Sequence, residues 1–254
     1  MATIRHITRP EEFRVLADIQ KRAWGFTDAD VEPHQLMTRI QKYGGLVQGL
    51  FLEDRCIGFT LAVIGSWNAE YFLYSHMAAV LPEYQGRGYG TRLKEAQRGE
   101  ALRRGYRVMR WNFDPLQSRN AYFNLHRLGV VCDEYETNIY GVGESGLHAG
   151  LPTDRLIATW ELNSARVRKR LGQAPARFVR HIPAEDVDSL ASTQCFVEIP
   201  KDIQEMKRSH PDRARAWQEK LRTLFTRAFA ANWRVEEIVF SETDDRPFYQ
   251  LVRD

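Results

Sequence analysis

Val80-Leu-Pro-Glu-Tyr-Gln-Gly-Arg-Gly-Tyr-Gly-Thr-Arg-Leu93 joins an apolar strand, Tyr71–Leu81, to a helix through three alternating glycines. A turn built as Gln85-Gly86-Arg87-Gly88-Tyr89-Gly90 takes positive φ at little cost and lacks the Cβ atoms that would hold a ligand away. Its amides, with the unpaired donors of the first helical turn, form a concave site for a phosphate or pyrophosphate. Two common phosphate motifs fit poorly. The dinucleotide fingerprint G-x-G-x-x-G requires glycine where Leu93 stands, although Asp114 after the next strand keeps that alternative open. A P-loop requires Lys and then Ser or Thr after its last glycine, and this chain has Thr91-Arg92.

The spacing that fits is Q/R-x-x-G-x-G, filled by Gln85, Gly88 and Gly90 after a strand ending Met77-Ala78-Ala79-Val80. It resembles the pyrophosphate loop of the GNAT N-acyltransferase superfamily; the competing reading is an ordinary glycine-rich strand-to-helix turn. The surrounding order extends the resemblance. A helix over Thr91–Arg104 stops at Gly105, a strand follows over Tyr106–Phe113, and Asp114-Pro115 caps a helix over Leu116–Leu128 that stops at Gly129. Upstream, strands Gly45–Leu52 and Cys56–Ile64 follow helices over about Glu11–Trp24 and Val31–Lys42. Strands Cys132–Tyr140 and Leu156–Leu162 complete the set. The order implies a mixed α/β GNAT fold over residues 1–165, whereas a Rossmann sheet alternates strand and helix from its first strand.

The 254 residues suffice for one domain or one and a half, and 43% hydrophobic with 27% charged residues is a globular composition. No apolar run reaches the length of a membrane span and no signal peptide is visible. Cys56, Cys132 and Cys195 are odd in number and lack metal spacing, so reduced thiols in a cytoplasm, and no metal, are expected. A net charge of +3 suits a phosphorylated cofactor without asking for nucleic acid.

The resemblance implies acetyl-CoA or another acyl-CoA as co-substrate and a small-molecule amine as acceptor. Amides of Gly86, Arg87, Gly88, Tyr89, Gly90 and Thr91 would take the pyrophosphate, and the strand end at Ala78, Ala79 and Val80, splayed from its neighbour, would pair with the pantetheine arm. His76, on one strand face with Tyr74, Ala78 and Val80, is the first candidate base, and Glu70 the second. A hydrogen-bonded core histidine is the alternative for His76. The family pattern N-x-x-A-x-x-x-Y-x-x-x-G-F matches at Ala121 and Gly129, while Ser118, Leu125 and Val130 replace its other residues. Leu125 therefore stands where the acid tyrosine is expected. Tyr122 is a neighbouring candidate, about 300° around an α-helix from it. Asn120 and Asn124, at i and i+4, are candidates for the pantetheine amides or a solvated face. Missing the tyrosine, the chain could instead be a non-catalytic acyl-CoA-binding or sensing module.

A narrower similarity, carried by Trp111–Leu125, Ser75–Ala78 and Pro152–Arg155, is to a bacterial subgroup related to amino-acid N-succinyltransferases. It implies succinyl-CoA as donor and a free amino acid as acceptor, with Arg119, Arg127 or Arg155 meeting a carboxylate by a bidentate fork. Gly141–Gly150, with four glycines, reads as a lid or a plain surface loop, and Trp24, Phe26 and His34 border the acceptor groove in related folds. Residues 166–180 read as a basic linker with a short helix and a solvated face. Residues 181–254 read as an α/β segment: a strand Cys195–Ile199, helices over Asp202–Ala231 broken at His210-Pro211, and strands Arg234–Phe240 and Phe248–Val252. Trp217, Leu221, Leu224, Phe225 and Phe229 form its apolar stripe. This order echoes half of the first domain, and its expected jobs are covering the core or forming a homodimer interface.

Overall fold

The computed structural model describes residues 2–67, 69–141, 150–172 and 178–253. The candidate lid at 142–149 lies outside the described residues. Residues up to 111 pack as one compact unit and the described residues from 112 onward as a second.

The first unit is built on β1 (Ala2–His6), β2 (Leu46–Leu52), β3 (Arg55–Trp67) and β4 (Glu70–Val80), antiparallel in that order, with β5 (Val108–Phe113) parallel to β4. The run Leu46-Val-Gln-Gly-Leu-Phe51 is buried throughout, as expected for a strand covered on both faces. Helix α1 (Pro10–Trp24) starts with proline in its first turn and ends at Gly25, whose φ of 70° lets its amide close on the Lys21 carbonyl. Its Phe13, Leu16 and Ile19 enter a core with Met37 of α2 (His34–Lys42), Leu50, Phe59 and Leu61. Helix α3 (Tyr89–Arg103) adds Leu93 to the same core.

The register between β3 and β4 shifts between Leu61 and Ala62, which pair with Met77 and Ser75. One extra β4 residue, His76, is thus accommodated in a bulge, a device that re-aims a side chain and often sits beside active sites.

In the second unit, β7 (Arg155–Glu161), β6 (Val131–Glu136), β10 (Arg234–Ser241), β11 (Pro247–Val252) and β9 (Gln194–Glu198) pair antiparallel in that order. A two-residue β8 (Val179–Arg180) runs parallel to β10. The strands of residues 181–254 therefore extend the sheet that β6 and β7 begin. The break at His210-Pro211 is present: α6 (Ile203–Ser209) ends before it and α7 (Pro211–Ala230) begins after it. The buried stripe of α7 is Ala214, Gln218, Leu221, Phe225 and Ala228, rotated from the expected one so that Trp217, Leu224 and Phe229 are only half-buried. Small residues at 214 and 228 allow the close approach that the bulkier ones would block.

Two other expectations change. The helix expected over Leu116–Leu128 is a short α4 (Ser118–Ala121) continued by a π-helical turn, Tyr122–Leu128. The Asn124 carbonyl at its end accepts from both Gly129 and Val130. The basic stretch is also more than a solvated face. Within α5 (Ala165–Gly172), Arg166 donates to the Gly129 carbonyl at 3.1 Å and to the Glu236 carbonyl, and Arg170 pairs with buried Glu237. These arginines satisfy buried acceptors, a use that local charge counting does not reveal.

Lys94 of α3 is buried (3% exposed), with its ammonium 3.7 Å from the centroid of the Trp111 ring and donating to Ser75 Oγ at 2.9 Å and Gln97 Oε1 at 3.1 Å. Burial pushes its pKa from the ordinary 10.5 down to about 7. Between those values the unfolded chain binds more protons, so stability should rise with pH there by up to about 4–5 kcal/mol, and the cost stands in full below pH 7. Lys94→Met should therefore gain stability over wild type most at pH 6 and progressively less toward pH 10. Urea unfolding at several pH values checks this, and parallel curves for the two proteins would refute the titration.

Candidate active site

The loop after β4 opens with a single 3₁₀ turn, Pro82–Tyr84, and Gln85 then places its side chain back on the strand, donating Nε2 to the Val80 carbonyl at 2.9 Å. Gln85 thus pins the loop to the strand end. Gly86 and Gly88 follow at φ of 75° and 79°, and a Cβ built on either meets nothing within 4 Å. The space above the loop is open, and the backbone there is one that side chains other than glycine rarely adopt. Gly88 caps α3 without a side-chain bond and the first turn holds no acidic residue. The amides of Tyr89, Gly90 and Thr91 consequently face outward with the positive end of the helix. Arg55 and Arg87 stack on Tyr84 at 5.6 and 5.7 Å, and among the described residues Arg87 pairs with no carboxylate. The open amides, the helix end and Arg87 favour an anion at this bend, whose one carboxylate, Glu83, is neutralised by Arg22 and Arg55.

Strand β5 accompanies β4 only at Leu73 and Tyr74, opposite Met109 and Arg110. Beyond Tyr74 the two strands part, so among the described residues the β4 segment from Ser75 to Val80 pairs with a strand only on the β3 side. The direction of each backbone group follows from period two. The Leu81 amide bonds the Ile57 carbonyl of β3, so Ala79 points the same way, while Ala78 and the Val80 amide face the parted side. Of the three expected backbone contributors, Ala78 and the Val80 amide are available there, the Val80 carbonyl is taken by Gln85 Nε2, and Ala79 is committed to β3.

His76 lies two residues before Ala78, about 7 Å along the strand. Its face is as expected, with Tyr74, His76 and Ala78 exposed or half-buried, and Leu73, Ser75, Met77 and Ala79 buried on the other side; Val80 is buried too. His76 Nε2 lies 2.9 Å from Glu32 Oε1, and both side chains remain accessible at 33% and 28%. Glu32 is held by the fully buried Gln20, which accepts the Glu32 amide at 2.8 Å and donates to its carbonyl at 3.4 Å. An imidazole oriented by a carboxylate that is itself fixed is the base–orienter arrangement used in proton transfer.

Sequence reasoning missed Glu32. Only Glu32-Pro33 before a helix marks it, and nothing local links it to a histidine 44 positions away. Glu70 is exposed at the start of β4, about 20 Å along the strand from His76, and does not join it.

The remaining candidates lie in the second unit. Tyr122 is half-buried, stacked on His126 with ring centroids 4.7 Å apart, and Arg127 sits over it at 5.7 Å. Because residues 122–128 are π-helical, the angle between Tyr122 and Leu125 expected from α-helix geometry does not hold. Leu125 is fully buried. Asn124 is buried and Asn120 exposed, with Asn124 Nδ2 3.4 Å from Asn120 Oδ1. Arg119 is exposed, whereas Arg155 is buried.

Burial pushes the Cys56 thiol up to about 11 and that of Cys195 to about 12, with Cys132 also raised; all three are free and buried. None is a reactive thiolate. Among the described residues no helix is long and apolar enough to cross a membrane.

The profile of the Acetyltransferase (GNAT) family matches residues 8–129, which contain the whole of the loop, β4 and Glu32. The ribosomal-protein-S18-alanine N-acetyltransferase from Escherichia coli is 20% identical over 65% of this chain and 96% of its own, with a TM-score of 0.50. A protein from Salmonella typhimurium solved with its cofactor acetyl-CoA is 20% identical over 65% of this chain and 95% of its own, at a TM-score of 0.52. Aminoglycoside 6'-acetyltransferase type Ii is 17% identical over 64% of this chain and 98% of its own, at 0.51. No curated protein matches the sequence. The chain therefore has the mixed α/β fold of GNAT acetyltransferases, and its residues 8–129 carry the sequence signature of the Acetyltransferase (GNAT) family.

Proposed function

We propose that the protein is an acyl-CoA-dependent N-acyltransferase that moves an acetyl or succinyl group to the primary amine of a small molecule, with a free amino acid as one acceptor class. The observation that carries the reading is the His76–Glu32 pair on the bulged strand that leads into the Gly86–Thr91 bend. The parts fit an acyl-CoA. The open, uncapped bend would hold the pyrophosphate, and the Ala78 edge groups with the Val80 amide would meet the pantetheine arm. The bound thioester supplies an electrophilic carbonyl. Toward it, His76 would accept the proton of the attacking amine, directly or through water, while Glu32 keeps the ring oriented. Leu125 holds the family tyrosine's position, so Tyr122 and solvent are the proposed sources of the proton for the leaving sulfur, and Glu70, remote from His76, is not the base. Asn120 and Asn124 are proposed cofactor contacts. Buried, free cysteines support a reducing, cytoplasmic setting. Exposed Trp67 and Tyr71 support a homodimer.

The test is thiol release. With acetyl-CoA or succinyl-CoA in excess and a panel of amines and amino acids, turnover should liberate free CoA thiol in proportion to N-acylated product. Saturable acyl-CoA binding without release under every amine tested would instead mark a sensing module.

A further inference from the structure

Where pairing between β4 and β5 ends, side chains of the first unit take over. Tyr74 and Arg110 form the last pair, so Ser75 and Trp111 are the first residues past it on the two strands. Lys94 of α3 meets both. Its ammonium donates to Ser75 Oγ at 2.9 Å and lies 3.7 Å from the centroid of the Trp111 ring. Gln97, three residues on and on the same face of α3, accepts from the Lys94 ammonium at 3.1 Å and from the Ser75 hydroxyl at 2.9 Å. All four side chains are buried. Lys94 thus ties α3, β4 and β5 together at the point where the strands begin to separate.

Packing for stability alone would not choose this cluster. Well-packed apolar side chains in place of buried charges are often neutral or stabilising. Gln97 adds a second cost, because its Nε2 is buried and meets no acceptor among the described residues. What such a network does supply is geometry, since hydrogen bonds in a low-dielectric interior are strong and directional. Natural proteins break local packing rules chiefly at functional sites. The geometry at stake here is that of β4. Counted back from the bend, its edge runs Val80, Ala78, His76 and then Ser75, so an acyl group carried past Ala78 reaches His76 and the fork together. Neighbouring strand residues are about 3.3 Å apart, so a shift of Ser75 carries His76 with it.

We infer that Lys94 is a positioning residue: by gripping Ser75 and Trp111 it fixes how far β4 and β5 part, and so where an acyl group sits relative to His76. It acts through the two strands rather than on the substrate. The acyl group in this inference rests on the transferase reading; the grip at the fork does not.

Lys94→Met, close in length and expected to be the more stable protein, separates this role from a merely structural one. At pH 6, where Lys94 carries its charge, hydrogen exchange of the β4 and β5 amides should be about fivefold faster or more in Lys94→Met, although its urea midpoint rises. In turnover at the same pH, kcat should fall about 10²-fold, the scale set by an ångström of misplacement, while CoA itself binds within about twofold of wild type. Trp111→Phe keeps a ring but offers the cation a weaker face, so it should lie between the two proteins in both readouts. Wild-type exchange with wild-type kcat in Lys94→Met overturns the inference. Faster exchange with kcat unchanged overturns it as well, because the grip would then not govern the acyl seat. A fall in kcat without faster exchange overturns it in favour of direct action on the substrate. Should wild type turn over no amine, the transferase reading fails and exchange decides alone: faster in Lys94→Met supports the grip, unchanged refutes it.

Discussion

Gly88→Glu should abolish acyl-CoA binding, weakening it by 100-fold or more, about 2.7 kcal/mol, while leaving the fold intact. The argument is geometric. Gly88 has a φ of 79° and nothing lies within 4 Å of where its Cβ would be, so a glutamate side chain enters the open space above the bend rather than the core. There it brings negative charge to the N-terminus of α3, where a pyrophosphate would bind. The left-handed backbone adds about 1–2 kcal/mol of strain for a non-glycine residue. Gly88→Asn, whose side chain tolerates that conformation, should fall between wild type and Gly88→Glu. Calorimetric titration with acetyl-CoA measures the series, and circular dichroism checks folding. Equal affinity for all three proteins would remove the loop from cofactor binding.

His76→Ala should lower kcat about 10²–10⁴-fold, the range for loss of a positioned general base, with little change in acetyl-CoA affinity. A histidine base must be neutral to accept a proton, so the wild-type pH profile should show a rising acid limb. The substitution should flatten that limb. Glu32→Gln keeps a hydrogen-bonding partner 2.9 Å from Nε2, so it should cost less than His76→Ala. A pH profile of His76→Ala superimposable on wild type would transfer the role to another group. A loss confined to Glu32→Gln would make Glu32 itself the base.

The loop and the strand order were legible in the sequence because both are local. Glycine spacing dictates a backbone bend, and apolar periodicity fixes which strand precedes it. The parting of β4 from β5 followed from family resemblance alone, since no side chain in Ser75–Val80 encodes it. What stayed hidden depends on long-range packing. Glu32 reaches His76 only because buried Gln20 grips its backbone. The π turn at Tyr122–Leu128 reads as ordinary helix by composition, because so short a segment does not distinguish its period from that of an α-helix. Arg166 and Arg170 look like solvent-facing charge until the acceptors on β10 and at Gly129 are in view.

Paired calorimetric titrations of the unaltered protein with acetyl-CoA and with acetyl-pantetheine, which lacks the pyrophosphate, bear most directly on the bend at Gly86–Thr91. Saturable heat for acetyl-CoA, with acetyl-pantetheine bound at least 100-fold more weakly, is the predicted result. Equal binding of the two, or no heat from either, would contradict it.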